Sequence, residues 1–175
     1  MRSQTQSGEF QVANDTVRTE QVAPSTEELQ HFVREGVHDQ ALAEALWRRG
    51  DKEARMFAIK LAEANRCSRY RLDSWLASAN DTSEVEGVAR IAARTPNAYE
   101  TALHWIHSDA ERSSLAGWSL VAELVAAGKL DTERAAALLE CVDEELDHHT
   151  TTSSEAVLKA RGALESGFPE IAGTG

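Results

Sequence analysis

The chain has 175 residues, of which 42% are hydrophobic and 27% are charged, and its formal net charge at pH 7 is −11. This composition is typical of a single soluble globular domain, and it excludes a disordered chain. The negative charge also argues against a high-affinity, non-specific DNA binder, because the field of an acidic protein repels polyanions.

Export and membrane signals do not stand out in the sequence. No apolar run approaches the roughly 18 residues of a membrane span, and residues 1–16 lack the apolar core of a signal peptide. We therefore expect a cytoplasmic protein with no membrane partner. Cys67 and Cys141 lie far apart, so we expect two reduced thiols and no disulfide framework.

Helical periodicity runs through most of the chain. Residues 1–25 are polar and aperiodic, which predicts a flexible tail, and residues 168–175 form a second predicted tail. Between them, over residues 26–167, no window alternates apolar and polar residues long enough to predict a strand, so we expect an all-α domain. The predicted helices cover residues 26–35, 38–49, 51–66, 68–78, 82–94, 97–107, 109–127, 131–147 and 153–166.

Residues with capping side chains precede most of these helices, and glycines follow two of them. The predicted N-caps are Ser25 or Thr26, Asp81, Asn97, Asp109, Asp131, and Ser153 or Ser154, and the predicted stops are Gly128 and Gly167. The helix over residues 51–66 has apolar residues on two faces, which is typical of a helix packed between neighbours. We therefore favour HEAT-like antiparallel helix pairs stacked into a small curved solenoid over a closed bundle.

Residues 46–72, LWRRGDKEARMFAIKLAEANRCSRYRL, form a basic segment with eight Lys or Arg against three acids. One interpretation is a solvated surface with local ion pairs, such as Glu63 with Arg66. The other is a wall of phosphate contacts, since the planar guanidinium fork binds phosphate oxygens in pairs. The candidate phosphate contacts are Arg48, Arg49, Lys52, Arg55, Arg66, Arg69 and Arg71.

Other constellations point to structure rather than chemistry. Glu100, His104 and His107 share one helix face, but no second helix offers further metal ligands, so we predict no metal site. Gly-rich phosphate loops and Cys-x-x-Cys pairs do not occur, and we predict no organic cofactor. The tryptophans occupy apolar-periodic positions, which predicts core residues. They are Trp47, Trp75, Trp105 and Trp118.

The segment LWRRGDKEARMFAIKLAE followed by YRLDSWL resembles the DNA alkylation repair family, the alkylpurine DNA glycosylases built from HEAT-like repeats. Two later segments, ALHWIHSDAERSSLAGWSLVAEL and AVLKARGAL, are similar to later helices of that family, so the resemblance covers residues 38–166. It implies a HEAT-like fold and double-stranded DNA as partner. The residues that match the first motifs are Leu46, Trp47, Glu53, Ala54, Arg55, Asp73 and Trp75.

The resemblance also implies site residues, with two departures. The family's active segment reads Trp-Asp-x-x-Asp, whereas this chain has NDTSE, with Asn80 in place of the Trp. Asp81 and Glu84 are then the implied catalytic carboxylates, and Trp75 and Asn80 are implied to lie near the lesion. A second family Trp is replaced in KARGAL, where Ala163 follows the glycine.

Two functions stay open on these grounds. One is a protein that binds damaged DNA and excises cationic alkylpurines by hydrolysis of the N-glycosidic bond. The other is a non-catalytic HEAT-like module that binds a protein partner, which the acidic balance and the replaced aromatic residues favour.

Overall fold

The computed structural model describes residues 24–147 and 154–171, and the residues within these ranges form helices and turns with no strand. The all-α prediction is confirmed. The helices are α1 Thr26–Arg34, α2 Gln40–Arg49, α3 Lys52–Leu61, α4 Arg69–Ser78, α5 Thr82–Ala92, α6 Ala98–Ile106, α7 Glu111–Ala126, α8 Thr132–Asp147 and α9 Ser154–Gly167.

The helices pack as pairs in two layers. Helices α3, α5, α7 and α9 each pack against the helix that precedes them in the chain, and the short connections make these pairs antiparallel. The same four helices also pack against one another in chain order, and α1 packs against α3. We call α1, α3, α5, α7 and α9 the central layer, and α2, α4, α6 and α8 the flanking layer.

Side-chain caps start several helices as the sequence predicts. Ser25 accepts a hydrogen bond from the Glu28 N–H, and the Glu28 carboxylate accepts one from the Ser25 N–H, so the two residues form a capping box. Asp81 caps α5, and Asp131 accepts from the backbone of the first turn of α8 at 2.8 Å. The predicted Ser153 cap of α9 lies outside the described residues.

Two predicted caps differ from the structure. Asn97 occupies the cap position of α6, but its side chain makes no capping hydrogen bond. The cap residue of α7 is Ala110 rather than Asp109, and it has no side chain that can accept a bond. Instead the Ala110 N–H donates to the Ser108 hydroxyl oxygen at 3.3 Å, so a neighbouring serine satisfies one backbone donor of the turn.

The predicted helix over residues 51–66 is wrong at its end, because α3 stops at Leu61. Beyond it, the Glu63 N–H donates to the Gln40 side-chain oxygen at 3.1 Å, and the Gln40 N–H donates to a Glu63 carboxylate oxygen at 3.1 Å. This reciprocal pair fastens the chain to the start of α2. The remainder of the predicted helix is a 3-10 turn, Ala64–Arg66, as tertiary contacts override helix propensity.

The core follows the contact between the layers and contains all four tryptophans, as predicted. Trp105 and Trp118 are each 1% exposed and belong to α6 and α7. At the C-terminal end, Phe168 and Ile171, from the predicted tail, pack against this core. Among the described residues, no helix has both the length and the apolar character needed to cross a lipid bilayer.

The contact between α6 and α7 depends on a glycine. A Cβ atom at Gly117 would lie 2.6 Å from the Ile106 backbone nitrogen and 2.7 Å from its side chain. Because backbone atoms cannot rotate away, the two helices would have to move apart. Gly162 in α9 is a matched contrast, since no atom of the described residues lies within 4 Å of a Cβ built there.

We expect Gly117→Ala to lower the free energy of unfolding by about 2 kcal/mol, because overpacking a close helix contact forces the backbone to shift. Gly162→Ala is the control and should raise it by about 0.5–1 kcal/mol through helix propensity. Urea unfolding followed by circular dichroism measures both. Equal effects of the two substitutions would contradict this role of Gly117.

Candidate nucleic-acid interface

A stacked pair of tryptophans joins α2 to α4. The Trp47 and Trp75 rings have centroids 4.4 Å apart, and their planes are inclined by only 3°. Stacking of this kind stabilises the fold by more than the burial of the two ring surfaces alone. The Trp47 indole N–H donates to the Ser78 hydroxyl at 2.9 Å. Both rings are buried at 5% exposure. The two tryptophans that carry the family resemblance therefore hold two flanking helices together.

Arg55 lies beside this pair and makes a buried ion pair with Glu84. Its NH1 group is 2.7 Å from Glu84 Oε2 and also donates to the Ser78 carbonyl, while its guanidinium carbon is 4.8 Å from the Trp47 ring centroid. Glu84 Oε2 accepts a second bond, from the Asn80 N–H at 2.7 Å. Glu84 is 1% exposed. A carboxylate in this position is out of reach of a substrate in solvent.

Asp81 is also occupied. One carboxylate oxygen accepts from the Ser83 hydroxyl at 2.6 Å and from the Glu84 N–H at 3.0 Å, and the other is 2.9 Å from the Lys52 ammonium group. The Ser83 hydroxyl and then Lys52 hold the pKa of Asp81 well below its usual range. The hydrogen bond between Lys52 and Asp81 also raises the pKa of Lys52. Asp81 thus caps α5 and joins it to α3.

Most cations of residues 46–72 have a carboxylate partner. The pairs are Arg49–Asp51 at 3.1 Å, Lys52–Asp81 at 2.9 Å, Arg55–Glu84 at 2.7 Å, Arg66–Glu63 at 3.5 Å and Arg71–Glu44 at 2.6 Å. Within the described part of the chain, Arg48, Lys60 and Arg69 have no carboxylate within 4 Å. Ion pairing therefore cancels much of the positive charge of this segment.

The structure brings part of the predicted set together in one cleft between α2 and α4, which we call the α2–α4 cleft. Its volume is about 570 Å³. Asn80 does not line it, and neither do Arg49, Lys52, Arg66 and Arg69. The role of the whole set as phosphate contacts stays a prediction. Residues that line the cleft include Trp47, Arg48, Arg55, Tyr70, Arg71 and Trp75.

A second cleft, which the sequence did not lead us to predict, lies on the central layer. We call it the basic groove. Its volume is about 540 Å³. Among the described residues, its lining includes four cations, Lys60, Arg90, Arg94 and Lys129, and a single acid, Glu123. All four cations are exposed. None of them has a carboxylate within 4 Å among the described residues.

The positions of these cations explain why they were missed. The groove brings together three separate parts of the chain, represented by Lys60, Arg90 and Lys129. These residues meet only because α3, α5 and the turn after α7 pack against one another. Lys129 is held in place by a 2.7 Å hydrogen bond to the Ala93 carbonyl oxygen. One local signal was present, because Arg90 and Arg94 are four residues apart and would share a face of the predicted helix over residues 82–94.

Comparisons with known proteins agree with the fold. The sequence profile of a family described as "DNA alkylation repair enzyme" matches residues 13–159, so the resemblance noted in the sequence is confirmed. A solved structure described as belonging to "a new family of proteins related to the HEAT-like repeat DNA glycosylases with affinity for branched DNA structures" superposes with a TM-score of 0.74 at 22% identity.

That superposition covers 85% of this chain and 65% of the other chain, so the present chain spans slightly less than two thirds of its structural relative. At this identity the similarity concerns the fold, and the expected HEAT-like architecture is confirmed. The comparison with curated proteins gives no significant match.

We expect Glu84→Gln to lower the free energy of unfolding by about 3 kcal/mol or more, because it leaves the buried Arg55 charge without a counter-ion. The double variant Arg55→Met/Glu84→Gln removes both charges. Its loss of unfolding free energy should be clearly smaller than the sum of the losses in Arg55→Met and Glu84→Gln. Lys52→Gln, at the exposed pair with Asp81, is the control and should have a much smaller effect. Urea unfolding measures all four variants, and additive losses would contradict a coupled buried pair.

Proposed function

The chain belongs to the DNA alkylation repair enzyme family, and from this premise we propose that it binds DNA through the basic groove of the central layer. The observation that carries the proposal is the cluster of four exposed cations, Lys60, Arg90, Arg94 and Lys129, with no carboxylate partner among the described residues. Unpaired cations are free to replace the counterions of phosphate groups.

Phosphate contacts of this kind position DNA without reading its sequence. Arg90 lies in the last turn of α5 and Arg94 in the turn that follows it, and both line the groove, so their guanidinium groups can hold neighbouring phosphate oxygens. Lys60 and Lys129 add point charges on the same surface. The net charge of −11 opposes this local attraction. The bound DNA should therefore contact only the small area of the groove, and its affinity should fall steeply as salt is added.

We further propose that branched DNA is the preferred form. A structural relative is described as having affinity for branched DNA structures, and the charge distribution of this chain supports the same choice. A long duplex extends most of its phosphates beyond a groove of about 540 Å³ and over an acidic protein. At a branch point, phosphates from several arms lie close to one small basic patch, so attraction increases more than repulsion.

Excision of alkylpurines, which the family resemblance implies for Asp81 and Glu84, has weaker support. A carboxylate that stabilises a developing sugar cation or positions a water must reach the nucleotide. Glu84 is 1% exposed and bound to Arg55, and the oxygens of Asp81 are bound by Ser83, Lys52 and a backbone N–H. We therefore propose DNA binding without excision by these two residues.

The DNA-binding proposal is tested by fluorescence anisotropy on a four-way junction and on a linear duplex with the same number of nucleotides. We expect tighter binding to the junction. Arg90→Gln/Arg94→Gln should weaken junction binding at least about tenfold at low salt and reduce the slope of log K against log salt by about 2.

Lys159→Gln is the matched control, because Lys159 is exposed on α9 and does not line the groove. It should leave the affinity and the salt slope nearly unchanged. Equal losses in the double variant and the control would refute the assignment of the groove. No measurable binding of the wild-type protein to either DNA at low salt would favour the protein-interaction alternative instead.

The excision question has its own assay, the release of 7-methylguanine and 3-methyladenine from methylated DNA. We expect release no faster than in a reaction without protein. Asp81→Asn serves as the diagnostic variant, since asparagine also caps helices well and the fold should persist. Release by the wild-type protein that disappears in Asp81→Asn would show that Asp81 is catalytic after all.

A further inference from the structure

The α2–α4 cleft shares no lining residue with the basic groove, and the proposed contacts of DNA phosphates with that groove leave the cleft unused. Its volume of about 570 Å³ is within the range of small-molecule sites. Residues from α2, the start of α3 and nearly the whole length of α4 line it.

One aromatic side chain at this cleft is almost fully exposed. Tyr70, in the first turn of α4, is 84% exposed, whereas Trp47 and Trp75 in the same cleft are each 5% exposed. Burial against the core accounts for the tryptophans but not for Tyr70. An exposed aromatic ring offers a face on which a nucleobase can stack, and such stacking does not depend on the identity of the base.

The cleft is also rich in guanidinium groups. Its lining among the described residues includes three arginines, Arg48, Arg55 and Arg71, and one acid, Glu44. Arg71 forms an ion pair with Glu44. Arg48 is exposed and has no carboxylate within 4 Å in the described part of the chain. Its Nε group donates a hydrogen bond to the Glu44 carbonyl oxygen at 3.2 Å. The Nε atom of Arg55 is buried and makes no hydrogen bond to any described residue. Donors for an anion therefore exceed the acceptors present.

We propose that the α2–α4 cleft binds an unpaired nucleotide of a DNA strand, with the base stacked on Tyr70 and the adjacent phosphate held by Arg48. An aromatic platform beside a guanidinium group is the combination that recognises single-stranded nucleic acid. The inference deepens the proposed DNA binding and rests on it: the basic groove holds duplex phosphates, and the cleft holds a nucleotide that the branch leaves unpaired.

The test measures binding of a labelled eight-residue oligothymidylate and of a blunt duplex hairpin to the full chain by fluorescence anisotropy. Tyr70→Ala should weaken oligothymidylate binding about tenfold, the range found for loss of one stacked base, and leave hairpin binding unchanged. Tyr70→Phe keeps the ring and should bind like the wild type. Arg48→Gln should reduce the salt slope for the oligonucleotide by about 0.7.

Several results would overturn the inference. Tyr70→Ala binding both DNAs as the wild type does would remove the stacking role, and competition by free thymidine monophosphate as strong as by the oligonucleotide would make the cleft a mononucleotide site. If the wild-type protein binds the hairpin but not the oligonucleotide, the nucleotide site in the α2–α4 cleft is refuted, whereas DNA binding by the basic groove is not. Arg90→Gln/Arg94→Gln should weaken only hairpin binding, so the two proposals fail separately.

Discussion

The buried ion pair between Arg55 and Glu84 is the interaction on which the N-terminal half of the structure depends. It joins α3 to α5, and through the Ser78 carbonyl and the Asn80 N–H it also fixes the turn between α4 and α5. The Arg55 guanidinium near the Trp47 ring extends the contact to α2. A buried charge pair of this kind determines which helices pack together more than it raises the free energy of unfolding, because the desolvation of the two charges offsets much of their attraction. The same geometry that orders the helices takes the Glu84 carboxylate away from solvent.

The residues that carry the family resemblance serve packing more than chemistry. Trp47 and Trp75 stack on each other, and Asp73 accepts the indole N–H of Trp105 at 2.7 Å, which links α4 to α6. The helix-pair architecture can therefore persist while residues at the family's active segment change, since fold and activity depend on different side chains. Membership in the family and DNA binding without excision are compatible for this reason.

Local patterns predicted the helical class, the helix-pair architecture and the burial of the tryptophans, because hydrophobic periodicity and motif order are properties of short segments. They did not predict that α3 ends at Leu61, since the responsible contact joins Gln40 to Glu63 across two elements. Charge was the least predictable property. Counting cations pointed to residues 46–72, but pairing with distant acids, such as Lys52 with Asp81, decides which cations remain available. Four cations without a carboxylate partner among the described residues meet in the basic groove only after folding, whereas Arg48 and Arg69 lie outside it.

The proposed position of DNA on the basic groove can be measured directly, because the chain has four lysines that differ in their place relative to the groove. Lys60 and Lys129 line the groove, whereas Lys52 and Lys159 do not. Amine acylation followed by mass spectrometry compares the reactivity of each lysine with and without a saturating four-way junction at low salt. DNA bound in the basic groove should protect Lys60 and Lys129 from acylation and leave Lys52 and Lys159 as reactive as before. Protection of Lys52 or Lys159 with Lys60 and Lys129 unchanged would contradict this position of the DNA.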